Sequence, residues 1–165
     1  MFNLYTALIT PYNEDNKVDY NSLGSLINES IENGVVGFVV NGTTGEAPTL
    51  TKLEKREILK FVLEQTKDAN VDIVVGVSSN DTSKVIEEIK NVDDLAFSTY
   101  MICPPYYNKT SQAGLLAHYL EAAKNTDKNI LLYNVPGRCG MSIAYETVIE
   151  LSNHKQFVGI KEASK

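Results

Sequence analysis

Residues 129–161 read NILLYNVPGRCGMSIAYETVIELSNHKQFVGIK. Two short apolar runs, NILLYNV (129–135) and FVGIK (157–161), stand at its ends. Between them SIAYETVIELSNH (142–154) spaces its apolar residues at helical intervals. The runs do not alternate apolar with polar residues, so neither face of the strands is expected to meet water. Parallel strands covered by their own crossover helices read this way. The stretch is therefore a strand–helix–strand unit, and the question is whether the rest of the chain repeats it.

It does. LYTALIT (4–10) is an apolar run closed by Pro11 and reads as the first strand. VDYNSLGSLINESIENG (18–34) has helical spacing and ends on Gly34, suited to a C-cap. VVGFVV (35–40) is a buried strand, and TKLEKREILKFVLEQTKDA (51–69) is a helix opened by a capping box from Thr51 to Glu54. VDIVVGV (71–77) is a strand, DTSKVIEEIKN (81–91) a short helix, LAFSTYMIC (95–103) a strand, and SQAGLLAHYLEAAKNT (111–126) a helix. The expected order is six parallel strands with five helices between them. Strict alternation without a hairpin signal leaves two α/β architectures, an open doubly wound sheet or a (β/α)8 barrel. No interdomain linker or low-complexity tract interrupts the pattern.

A chain of 165 residues can bury one real core. Hydrophobic residues at 43% and charged residues at 22% are ordinary for a globular protein. The net charge of -6, with no basic run, argues against nucleic-acid binding. No apolar stretch approaches the ~20 residues of a membrane span. The N-terminus MFNLYTALITPYNEDN lacks the basic start and long apolar run of a signal peptide. Cys103 and Cys139 suggest no disulfide framework. They read as free thiols in a reducing compartment, so a cytoplasmic protein is expected.

Function in both architectures lies beyond the carboxyl ends of the strands. Those ends carry NGTTGEAPT (41–49), SSNDT (78–82), PPYYNK (104–109), Tyr133-Asn134 with PGRCG (136–140), and Lys161-Glu162. Each has a plain reading. A strand-end lysine is usually solvated, Gly42-Thr43-Thr44-Gly45 is first a tight turn, and Tyr106 and Tyr107 are as well suited to packing. His118 and His154 lack metal-ligand spacing and read as structural, and the cysteines have no zinc-site partners. Together the pieces say more. A lysine ending an apolar strand is partly desolvated, which frees its amine to attack a carbonyl. A nest of N–H groups at GTTG, or Arg138, would hold a carboxylate. Tyrosine and threonine hydroxyls would pass protons. These are the parts of a lysine-dependent aldolase.

At TALITPY, NGTTGEAPTL, PPYYNKTSQAGL, ILLYNVPGRCG and VGIKEAS the chain resembles the dihydrodipicolinate synthase family, within the pyruvate-dependent class I aldolases that include N-acetylneuraminate lyase. The motifs follow family order and spacing along the whole chain. The resemblance implies a (β/α)8 TIM barrel, of which residues 1–165 would be an incomplete barrel: the N-terminal part of one domain, strands one to six. It implies that Lys161 forms a Schiff base with pyruvate and that Tyr133 moves protons beside it. Thr43 would link Tyr133 to Tyr107 in a relay, and Thr44 would bind the pyruvate carboxylate through its N–H. Arg138 would hold the carboxylate of L-aspartate 4-semialdehyde, and the product would be 4-hydroxy-tetrahydrodipicolinate, on the route to lysine. Other pyruvate aldolases of the superfamily, and a non-catalytic fragment, are the alternatives. Arg138 and Thr43 favour the synthases, because the neuraminate lyases lack that arginine and usually have serine at the threonine.

Tyr107 reaches into a neighbouring subunit in this family, so a homo-oligomer is implied, with no metal and no organic cofactor. Lysine-sensitive members carry an effector site. Tyr106 and Asn80 match it, whereas Lys84 stands in place of a glutamate and Lys52 in place of a histidine, so weak lysine inhibition is expected. Cys139 replaces the usual threonine, which is expected to loosen the Arg138 loop, and Ser78 replaces a common glycine, which is expected to disturb its turn. The 165-residue chain on its own is expected to leave Lys161 in a wet strand end with a nearly free pKa and negligible turnover.

Overall fold

A computed structural model describes residues 3–164, which fall into two compact units. The first runs to Gly76 and takes in Leu95–Ser98. Its strands β1 (Tyr5–Ala7), β2 (Gly37–Val40) and β3 (Asp72–Gly76) are parallel and pair in that order, with Phe38 opposite Thr6 and Ile73. Helix α1 (Tyr20–Glu32) starts where the Asp19 carboxylate accepts the N–H groups of Asn21 and Ser22. It ends before Gly34, whose φ of +84° is the left-handed conformation glycine adopts without strain. Helix α2 (Lys52–Thr66) opens on the expected capping box. The Thr51 hydroxyl accepts the Glu54 N–H at 3.2 Å, and the Glu54 carboxylate accepts the Thr51 N–H at 2.8 Å. Leu23, Ile27, Phe38, Val40, Leu59 and Val62 are buried between these helices and the strands. The Tyr5 ring fills the space a Cβ on residue 37 would need, so glycine stands there, and the Tyr5 hydroxyl donates to Asp72.

The second unit holds Val77–Asp94 and the chain from Thr99 onward. Its strands β4 (Thr99–Ile102), β5 (Asn129–Asn134) and β6 (Phe157–Glu162) are parallel in that order, with a register irregularity at Ile130/Leu131. Helices α3 (Thr82–Val92), α4 (Gln112–Ala123), α5 (Pro136–Cys139) and α6 (Tyr145–Ser152) accompany them. Helix α6 has no capping side chain of its own. Gln112 supplies one from α4, its Oε1 accepting from the Ala144 N–H at 3.0 Å and the Thr147 hydroxyl at 2.7 Å. The Asp93 carboxylate accepts the Tyr100 hydroxyl at 2.9 Å and the Thr126 hydroxyl at 2.6 Å, tying the end of α3 to β4 and to the segment before β5. Strands β4 and β5 are mostly buried, whereas β6 exposes Val158 at 53% and Ile160 at 37%.

Three expectations need correction. The strand read over 95–103 begins at Thr99, because the Phe97 N–H closes a turn on the Leu95 carbonyl at 3.1 Å before the chain extends. Among the described residues five helices become six, plus a 3-10 turn at Ala47–Thr49. The added helix is α5. Proline, with its fixed φ and absent N–H, starts it, and Gly140 at φ +72° ends it. Strand β1 is also shorter than 4–10, although the Leu8 N–H still reaches the Val39 carbonyl at 3.1 Å. No helix among the described residues is long and apolar enough to cross a membrane.

Candidate active site

The ends of β5 and β6 build one half of the expected site. Lys161 lies opposite Tyr133 in the parallel register. Successive side chains of a strand alternate between faces, so paired residues of neighbouring strands share a face. Lys161 Nζ accordingly sits over the Tyr133 ring, 4.4 Å from its centroid. Burial pushes the Lys161 ammonium below the ordinary lysine range. The wet, freely titrating lysine expected of the 165-residue chain is therefore not what the structure shows, since a buried tyrosine and the neighbouring strand shelter the amine. One residue further on, Asn134 faces Glu162 on the opposite face. The Asn134 amide donates to both carboxylate oxygens, at 3.0 and 2.8 Å. The hydrogen bonds from Asn134 and from the Ser164 side chain and N–H hold the Glu162 carboxyl down at about 2.

Around these strand ends lie the loops after β4 and β5. Tyr107 has a left-handed backbone, φ +72°, and is 86% exposed, its N–H donating to the Cys139 carbonyl at 3.3 Å. That bond ties the Tyr107 loop to α5, which presents Arg138 to solvent. Cys139 is buried and its thiol hydrogen-bonds with Cys103, which lowers the Cys103 pKa and raises that of Cys139. The cysteine thus anchors the Arg138 segment instead of loosening it. Ser78 likewise organises its turn, its hydroxyl accepting the Cys103 N–H at 3.2 Å. Both thiols are free. Tyr106 is half-buried, and desolvation, with Cys103 and Glu88 nearby, pushes its hydroxyl pKa up. The Asn80 carbonyl accepts from the Asn108 amide at 2.7 Å, and Lys84 lies in the first turn of α3.

In the first unit, Thr43 and Thr44 are exposed at the tip of the loop after β2. The N–H groups of Gly45 and Ala47 return to the Gly42 carbonyl at 3.1 and 3.4 Å, and that of Glu46 to the Thr43 carbonyl at 3.1 Å. Those donors close the turn, while the N–H groups of Thr43 and Thr44 are bonded to none of the described residues. Positive φ falls on Asn41 (54°) and Glu46 (55°), not on the two glycines. Gly45 is required for space instead, since a Cβ there would lie 2.9 Å from the Leu8 carbonyl oxygen. The Thr10 hydroxyl donates to the Gly45 carbonyl at 2.6 Å and fixes the loop from below. Lys52 is the first residue of α2.

The structure thus brings Lys161 to Tyr133 and Tyr107 to the Arg138 segment, and it holds Thr43 and Thr44 on a braced loop of the other unit. Sequence reading puts Asn134 and Glu162 at the strand ends but gives them no role. Their signal is positional: each directly follows a singled-out residue, on strands that pair.

The sequence model of the Dihydrodipicolinate synthetase family matches residues 1–165. A 4-hydroxy-tetrahydrodipicolinate synthase of Phocaeicola vulgatus is 44% identical over 159 residues, covering 96% of this chain and 53% of that protein. The chloride-inhibited dihydrodipicolinate synthase of Acinetobacter baumannii, solved with pyruvate, is similar with a TM-score of 0.94 and 36% identity, over 98% of this chain and 55% of that one. The synthase of Cyanidioschyzon merolae, solved with lysine bound, is similar with a TM-score of 0.94 and 36% identity, over 98% and 55%. The fold is α/β with six parallel strands and matches the barrels of these synthases over about half their length. The chain spans about half the length of the curated relatives it matches.

Proposed function

Because the chain belongs to the Dihydrodipicolinate synthetase family, we propose that it supplies strands one to six of a cytoplasmic (β/α)8 lyase that condenses pyruvate with L-aspartate 4-semialdehyde. One observation carries this reading: a desolvated strand-end amine, Lys161 Nζ, held 4.4 Å from the ring centroid of Tyr133. A lowered pKa leaves more free amine at neutral pH, and the free amine is the nucleophile. Lys161 Nζ attacks the pyruvate carbonyl, and the carbinolamine loses water to give the imine. Tyr133, beside the amine, serves as the proton carrier for that loss and for removal of a proton from the methyl carbon. The resulting enamine carbon bonds to the aldehyde of the second substrate. That substrate's own amine then displaces Lys161 and closes the ring of 4-hydroxy-tetrahydrodipicolinate.

Thr43, Thr44, Tyr107 and Arg138 take the relay and carboxylate roles that the family resemblance implies. Exposed Tyr107 makes a homo-oligomer part of this reading. With the chain joined to the last two βα units of a relative, borohydride reduction in the presence of pyruvate should leave one adduct, on Lys161. An adduct on another lysine with Lys161 unmodified would sink the assignment.

The same protein should respond weakly to lysine. Lys84, at the position of an effector-binding glutamate in sensitive relatives, faces a cationic ligand with a like charge. Such a pair costs on the order of 1 kcal/mol or more when partly buried. Strong inhibition by sub-millimolar lysine in a coupled assay would contradict this.

A further inference from the structure

Strand β6 is anchored at its start, where Phe157 is buried beside Tyr119, and is less covered further along. Val158 and Ile160 are 53% and 37% exposed, and β6 pairs with β5 along one edge only among the described residues. A slip of one residue would turn Lys161 away from Tyr133, because side chains alternate faces. The contact that opposes such a slip lies one residue beyond, on the other face. The Asn134 amide nitrogen spans both Glu162 oxygens at 3.0 and 2.8 Å, and the Asn134 carbonyl accepts the Ala163 N–H at 2.9 Å. Asn134 is itself fixed. It is 5% exposed, and its Oδ1 accepts the Ile143 N–H at 3.0 Å, which turns the amide nitrogen toward Glu162.

We propose that Asn134 and Glu162 are a positioning pair, a clamp on the outer face of β5 and β6 that holds the Lys161 amine over the Tyr133 ring. The pair touches no reacting atom. Its consequence for catalysis rests on the imine chemistry proposed above, whereas its placement of the amine does not.

The test uses the 165-residue chain and a readout that needs no pyruvate. Each lysine is labelled with a small acylating reagent across a pH series and quantified by peptide mass. In the parent, Lys161 should label at lower pH than the exposed lysines. Asn134→Asp sets two carboxylates against each other, and Glu162→Ala removes the acceptor. In both, Lys161 labelling at mildly alkaline pH should fall roughly three- to ten-fold, the change for a pKa rise of half to one unit. The double variant Asn134→Asp/Glu162→Gln exchanges donor and acceptor, keeps the Ile143 contact, and should return labelling to within about two-fold of the parent, because the clamp's hydrogen bonds are restored.

Reactivity of the buried thiols Cys103 and Cys139 reports whether each variant keeps its fold. Parental Lys161 profiles in both folded single variants, or a folded double variant that fails to recover, would overturn the proposal. So would exposed thiols in all three variants, which would make the pair a structural tie and not a positioning one. Pyruvate–borohydride trapping, run on the chain joined to the last two βα units of a relative, addresses the chemistry separately. Absence of any adduct from that extended chain, beside the expected labelling pattern in the 165-residue one, would remove the aldolase reading and leave the clamp.

Discussion

His118 stands in the middle of α4, 3% exposed, with Nδ1 2.9 Å from the Thr82 hydroxyl and Nε2 buried without a partner among the described residues. A charged imidazole there would have an unsatisfied N–H, and burial pushes its pKa down to about 4. The folded value therefore lies below the unfolded one of about 6.5. As pH falls, the unfolded chain binds the proton first, so stability is constant above the unfolded value and is lost between about 6.5 and the folded pKa. The loss is on the order of 3 kcal/mol at most. Glu162 has the opposite form. Its folded pKa of about 2 is depressed, so its contribution is present above the ordinary carboxylate value and disappears only at lower pH. The two windows barely overlap. His118→Leu should flatten the loss seen by urea unfolding between neutral pH and roughly pH 5, a loss the parent should show because only its unfolded state is protonated there. Equal losses in both proteins would place the acid sensitivity elsewhere.

At the scale of elements, the chain advertises what is periodic or capped and conceals what depends on pairing. The apolar runs and the Thr51–Glu54 box suffice to place β2, β3, β5 and α2 close to their observed limits, because burial on both faces and a reciprocal cap leave direct marks on composition. Leu95 and Phe97 mislead, since they are apolar yet precede β4 in a turn. The one-turn helix α5 is hidden in PGRCG because four residues carry no period, and only proline at its start and glycine past its end betray it. In the candidate site, Lys161 and Tyr133 are legible as groups on one rim because both lie at the ends of apolar strands, and it is the family resemblance that implies they act side by side. That Asn134 meets Glu162 is not legible, because their meeting depends on the register of β5 against β6, which no local motif encodes. The loop after β2 shows the same limit. Its glycines suggest where φ turns positive, but Asn41 and Glu46 take that conformation, and Gly45 is needed to clear the Leu8 carbonyl.

For the whole molecule, readiness of the amine and turnover are separate properties. Lys161 owes its lowered pKa to local shelter present within these residues. The proposed turnover also needs a closed pocket for two substrates, and a (β/α)8 barrel typically takes about 250 residues, with closure removing every strand edge. The relatives similar to this chain are about twice its span, with 53% of one and 54% of another covered. Strand β6 meanwhile exposes Val158 and Ile160 and, among the described residues, pairs along one edge only, the kind of surface that draws in a second chain. The purified 165-residue polypeptide should therefore self-associate and turn over pyruvate and L-aspartate 4-semialdehyde negligibly, even though Lys161 is expected to label at lower pH than the exposed lysines. Extension by two βα units from a relative should restore turnover and reduce the association to a defined oligomer. A coupled assay on both proteins, run beside light scattering, decides between these outcomes. Comparable turnover from a monodisperse short chain would show that six strands suffice, and that the exposed face of β6 is compatible with a working site.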